Sequence, residues 1–157
     1  MRPTLAIFRR KTIRYLICEV FEDFVKATTR DQKIAVLRSN GKNDLKSVLR
    51  ATFHPKIRFL VDHWPKYKPM PGGKLNRGVP GNSLGSEMKR IYLFEDRNPR
   101  TPKNYTQAQR ETLLIQILES VEAEEAIIFM NMLLKNLKVP GLDAAIVTEA
   151  FPGLLDD

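Results

Sequence analysis

Apolar residues recur in this chain at steps of three and one, and nowhere do they alternate over a useful length. Ile13, Leu16, Ile17, Val20, Phe21, Phe24 and Val25 draw one continuous stripe. A stripe of period 3.6 is the mark of an amphipathic α-helix, and it excludes a half-buried strand over the same residues. The spacing returns at Leu45, Val48, Leu49 and Phe53, and again at Leu113, Leu114, Ile117 and Leu118. Ile127, Ile128, Met130, Met132 and Leu133 follow, apolar on more than one side, which predicts a central helix. The expected class is therefore all-α, a compact multi-helix domain. The 157 residues allow one domain and hardly two. A composition 43% hydrophobic and 28% charged is that of a globular chain, not a disordered one.

Local chemistry divides the helices. Thr29 with Gln32 three residues on forms a capping box, opening a helix over Asp31–Ser39 that Asn40-Gly41 ends. Asn43 or Asp44 caps a third helix, and His54-Pro55 breaks the pattern. KIRFLVDHWP is an apolar segment of ambiguous type. Pro65, Pro69, Pro71 and Pro80, with Gly72, Gly73, Gly78 and Gly81, then predict a long loop over residues 65–83. Helical spacing resumes over Ser83–Asp96 through Leu84, Met88, Ile91 and Tyr92. After a second break, Thr106 and Gln109 form another capping box. Glu122, Glu124 and Glu125 suit the first turn of the helix that follows. Asp143 caps a last short helix through Ala150. Trp64 and Tyr92 both fall on apolar patterns and are expected in the core. The domain is predicted over residues 13–157, preceded by a basic arm at residues 1–12.

Charge is unevenly placed. The net charge is +8, but residues 1–53 carry 12 basic and 5 acidic side chains, and residues 54–104 carry 11 and 4. Residues 105–157 carry 3 and 9. A strongly basic first two thirds favours a polyanionic partner, most simply nucleic acid, over a merely solvated lysine-rich surface. The basic and apolar residues of the N-terminus are mixed rather than ordered as in a secretion signal. No apolar run approaches the length of a membrane span, so no membrane partner is expected.

The familiar catalytic arrangements are missing. Cys18, the one cysteine, lies on the apolar side of the first helix and reads as a buried structural thiol. His54 and His63 have no ligand set around them, so no metal and no cofactor is expected. Gly72-Gly73-Lys74 neither follows a strand nor opens a helix, which argues against a phosphate-binding loop. No catalytic residue is assigned, and the chain is not expected to be an enzyme.

Binding chemistry remains. Basic residues gather at the breaks between helices: Arg38 and Lys42; Lys56 and Arg58; Lys66, Lys68, Lys74 and Arg77; Arg97, Arg100 and Lys103; Lys135 and Lys138. Helix starts at such breaks offer free N–H groups that suit phosphate oxygens. Val139-Pro140-Gly141-Leu142-Asp143 is such a break, although Pro-Gly there equally serves only to end one helix and start the next.

Four ordered segments carry a resemblance: FEDFVKATTRDQKIAVLRSN, DLKSVLRATFHPKIRFLVDHWPK, TLLIQILESVEAEEAIIFMNMLL and LKVPGLDAAIVTEAFPGLL. From about Val20 to Leu154 the chain resembles the N-terminal helical DNA-binding domain of ATP-dependent DNA ligases of T4-like bacteriophages. It also resembles a family of small uncharacterised phage proteins. The resemblance implies a domain that grips duplex DNA from the minor-groove side with little sequence preference. It implies Lys138, Gly141 and Leu142 at one DNA-facing turn and His54, Lys56 and Arg58 near another. The nucleotidyltransferase motif Lys-x-Asp-Gly is absent, since Lys42-Asn43-Asp44 continues with Leu45. The loop over 65–83 looks longer and more basic than its ligase counterpart.

The expectation is thus a non-catalytic double-stranded DNA-binding protein of a phage, acting on intact or nicked DNA in replication, repair or recombination, in the cytoplasm of the infected host cell. The expected DNA-binding residues are His54, Lys56, Arg58, Lys66, Lys68, Lys74, Arg77, Arg100, Lys103, Lys138, Gly141 and Leu142. The alternative is a protein-interaction module docking on a phage replication protein, a host protein or a virion component. A third option is single-stranded nucleic acid, with Trp64, Tyr67, Tyr92 and Tyr105 as stacking aromatics.

Overall fold

The computed structural model describes residues 16–70 and 83–156. The basic arm, Ile13, Lys74 and Arg77 lie outside the described residues. Seven α-helices make up the described chain: α1 Ile17–Lys26, α2 Arg30–Ser39, α3 Asn43–Phe53, α4 Leu84–Glu87, α5 Gln107–Ser120, α6 Ala123–Leu133 and α7 Ala144–Ala150. A 3-10 helix over Met88–Phe94 continues α4. The segment of ambiguous type after His54 forms neither helix nor strand; Phe59 makes an isolated antiparallel bridge with Glu95.

The cap residues are the expected ones where the signal is local. Thr29 and Thr106 each accept from the backbone three residues on, and Gln32 and Gln109 return the bond. Asp143 Oδ1 accepts from Ile146 N–H at 2.9 Å and opens α7. Ser83 caps α4 in the same way. At α3 the N-cap is Lys42 rather than Asn43 or Asp44, and no side chain bonds there.

Helix α6 is the centre. It packs against α1, α3, α4 and α5. Glu125, Ala126 and the run from Ile128 through Leu133 are buried, and only Ile127 among its long apolar residues stands out in solvent. Burial nearly all round explains why its apolar residues do not keep to one side. Phe129 meets Phe94 edge-on at 6.0 Å, in the favoured geometry for aromatic pairs. On the flank, α1 packs on α2 and α2 on α7. Gly85 lies against the Asp44 carboxylate, which a Cβ there would displace, where α4 packs on the start of α3.

One long-range contact completes α1. Its N-cap residue, Leu16, has no side chain able to bond the first turn. The Glu125 carboxylate does so from α6, accepting from Ile17 N–H at 3.1 Å and Cys18 N–H at 2.7 Å. Glu125 is thus buried at the start of a neighbouring helix, rather than lying in solvent at the start of its own. Burial pushes its carboxyl up to about 7; the bonds from Cys18 and Ile17 oppose that shift, and the nearby Glu122 adds to it.

Trp64 is not in the core. It is 41% exposed, because the segment that carries it forms no helix and so has no apolar face to turn inward. Tyr92 is half-buried, with the Arg100 guanidinium 4.1 Å from its ring.

Candidate nucleic-acid interface

Two basic segments separated by more than 30 residues in sequence run side by side. Leu60 N–H donates to the Phe94 carbonyl at 2.7 Å, and Asp96 N–H donates to the Arg58 carbonyl at 2.8 Å. These bonds set residues 56–60 beside residues 94–98. Lys56 and Arg58 on one segment, and Arg97, Arg100 and Lys103 on the other, are all exposed. Lys66 and Lys68 continue the first segment and are exposed too. Asp62, Glu95 and Asp96 are interspersed. Asp62 is paired with His63 at 2.7 Å, and Glu95 accepts from the Asn98 side chain at 3.1 Å.

The base of this edge is held by a lysine. Lys135 Nζ donates to the carbonyls of Ala51, His54 and Ile57 at 2.7, 2.9 and 2.7 Å. It closes the C-terminal end of α3 and the turn after it, where carbonyls have no helical partner. Its backbone is left-handed, with φ 63°, which turns the chain sharply after α6. Desolvation, and then the Arg58 charge, push its pKa down, and Glu95 partly restores it.

His54 belongs to this support. It is 3% exposed, its Nδ1 accepts from Lys56 N–H at 3.1 Å, and its carbonyl is one of those held by Lys135. It shapes the turn that presents Lys56 and Arg58, and its own side chain is turned inward.

The other expected turn lies elsewhere on the molecule. Lys138 is exposed with φ 57°, Gly141 is exposed with φ 83°, and Leu142 is half-buried against the core. Gly141 sits next to the Lys33 side chain and the Phe24 ring. Lys33 Nζ donates to the Phe24 carbonyl at 2.9 Å, near the end of α1. The loop from Lys135 to Gly141 therefore spans from the end of α3 to the end of α1. It keeps Lys138 apart from Lys56 and Arg58 but ties both places to one frame.

An apolar groove lies along α1 and α6, lined by Phe21, Val25, Ile127, Ile128, Val139 and Pro140. Val25 and Ile127 are each 45% exposed. Glu124 borders the groove toward the start of α1, Glu22 lines it one turn before Lys26, and Lys26 and Lys138 border it toward the end.

Several cations are committed to the fold, Arg38 among those expected at helix breaks. Arg38 donates to the Ala150 and Glu149 carbonyls at the end of α7. Arg50 donates to Leu154 and Asp156 carbonyls in the C-terminal tail. Arg110 is buried and donates to the Leu93 carbonyl at 2.8 Å. Its place is readable from the sequence, since it precedes Leu113, Leu114 and Ile117 at helical spacing on the buried stripe. The acids are also partly engaged: Glu149 pairs with Arg30, and Glu119 accepts from Lys68 N–H.

Among the described residues no group of three metal-ligating side chains comes together. No helix among them is long and apolar enough to cross a membrane. A search of curated proteins finds no match. Residues 20–139, most of the chain, match the model of a protein family described as a family of unknown function, DUF6433. The chain belongs to that family.

Proposed function

We propose that this protein is a non-catalytic double-stranded DNA-binding protein of a bacteriophage, holding the phosphate backbone with little sequence preference during replication, repair or recombination. The observation that carries the reading is the pairing of residues 56–60 with 94–98, which sets Lys56 and Arg58 beside Arg97, with Arg100 and Lys103 exposed further along the second segment. Cations on segments held by backbone bonds can contact phosphates and position a duplex without reading its bases. Lys66 and Lys68 extend the row, and the turn at Lys138 and Gly141 offers a second contact on the same rigid frame. The resemblance to the DNA-binding domain of phage ligases supports the same grip, from the minor-groove side.

Titration of a labelled duplex at two salt concentrations tests it. The affinity is expected to fall steeply with salt, with a logarithmic slope of about −0.9 for each phosphate neutralised, and to differ little between unrelated sequences. Binding that is tight yet indifferent to salt overturns the proposal.

The apolar groove favours a second reading, a module that seats an amphipathic helix of a phage or host protein. The occupant's apolar side would cover Val25 and Ile127, with a basic end toward Glu124 and an acidic end toward Lys26 and Lys138. Partners recovered from infected cells that persist after nuclease treatment, and are lost on Ile127→Asp, favour this reading. Recovery that depends on nucleic acid argues against it.

A further inference from the structure

Residues 62–68, DHWPKYK, leave the core and run along the outside of α5. Val61, His63 and Pro65 border a crevice with Gln107, Arg110, Glu111 and Leu114. Further on, Lys68 N–H donates to the Glu119 carboxylate at 2.7 Å. The segment is therefore laid on α5 and held near both ends of that helix, although it has no regular structure itself.

Trp64 and Tyr67 both lie on this segment. Their rings are 6.3 Å apart and 17° from parallel. Tyr67 is half-buried and packs against the core, and burial raises the pKa of its hydroxyl. Trp64 rests beside it but stays 41% exposed. A ring left partly in water forgoes part of the stabilisation that burial brings, and its open part can meet a ligand. Lys66 and Lys68 are exposed on the same segment. Of the acids nearby, Asp62 pairs with His63 and Glu119 holds the backbone of Lys68, while Glu111 lies across the crevice from His63.

We propose that Trp64, braced by Tyr67, is a stacking platform for an unpaired nucleobase, with Lys66 and Lys68 on the adjoining phosphates. A near-parallel aromatic pair flanked by cations accepts any base through its π-face. Closed duplex offers no such face, because every base is already stacked within the helix. The preferred DNA is then one that carries a single-stranded stretch beside duplex. This rests on the duplex-binding reading and narrows its substrate.

Trp64 is the one tryptophan of the chain, so its fluorescence reports on the platform alone. The full chain is titrated with a duplex closed at both ends by ethylene-glycol linkers that carry no base, and with the same duplex in which one linker is replaced by a short single-stranded tail. The tail is expected to tighten binding about tenfold and to quench the tryptophan, as base stacking does. Trp64→Ala is expected to lose the gain from the tail while binding the closed duplex as before, and Trp64→Phe to keep most of it. Equal affinity for the two DNAs, or binding of the tailed DNA with unchanged fluorescence, overturns the platform and leaves the duplex reading standing. Failure to bind either DNA overturns both.

Discussion

Two side chains carry more of this fold than their neighbours, and each acts at a distance. Lys135 satisfies three carbonyls at the end of α3 and the turn beyond. Lys135→Met keeps the length of the stem and removes all three charged bonds. We expect a loss of about 3 kcal/mol in urea denaturation, since bonds to a charged group are each worth more than neutral ones and the carbonyls are left part-buried. A loss near zero would mean that water replaces the ammonium. Glu125 gives a different readout. Its carboxyl is pushed up to about 7 in the folded chain, from an unfolded value of 4.5. Between those values the folded chain keeps a proton that the unfolded chain releases. The contribution of this site to stability is therefore full below pH 4.5, declines as pH rises, and is gone above about 7. Glu125→Gln cannot titrate, so its stability is expected to change less between pH 5 and pH 8 than that of the native chain. An identical change in both would remove Glu125 as the source. Neither role is legible in the sequence. Glu125 reads as an ordinary first-turn acid and Lys135 as an ordinary cation at a break, because the groups they satisfy lie about 80 to 110 positions away.

At the scale of elements, what sequence reveals is what local bonds decide. Thr29 with Gln32, Thr106 with Gln109, and Asp143 are readable because each cap completes its bonds within three residues. The segment after His54 is not, since its form depends on Phe94 and Asp96, which lie far along the chain. Trp64 departs from its expected place in the core for the same reason. The short helix α7 provides the test of a local cap. Its packing on α2 is reinforced by Arg30 on Glu149 and by Arg38 on the terminal carbonyls. Asp143→Ala removes the bond to Ile146 N–H and is expected to cost about 1 kcal/mol. Amide exchange should speed up in α7 and where it packs on α2, with α5 and α6 unaffected. Exchange that rises evenly through the protein would show that α7 does not open as a unit.

Over the whole molecule, the divided charge of the sequence takes on a different meaning. Lys33, Arg38, Arg50, Arg110 and Lys135 donate to backbone carbonyls, so their hydrogen-bonding capacity is turned inward although their charge persists. Under the proposed function, direct contact with a polyanion would fall to the exposed edge. Lys56→Glu, Arg58→Glu and Lys103→Glu together are expected to weaken duplex binding at least about tenfold and to flatten the salt slope by about 0.9 for each phosphate no longer neutralised. Melting should barely move. Arg50→Ala should do the reverse, loosening the C-terminal tail and lowering stability while the folded protein binds DNA as before. If the triple variant bound normally, the edge would not be the contact surface. The acidic last third repels a polyanion less than its count of acids implies, because Glu125 is buried and Glu149 and Glu119 are held by the basic two thirds.

The bond from Glu125 to the start of α1 also sets an order of assembly. It joins positions 108 residues apart. During synthesis α1 leaves the ribosome well before α6 exists, with its first turn uncapped and its apolar side uncovered. The early helices can associate with one another, but α1 reaches its final form only when α6 docks. Contacts of such long sequence separation are made late and slow the folding of an otherwise locally connected helical chain. Helix α1 is thus made before the other helices described and is among the last of them to be finished.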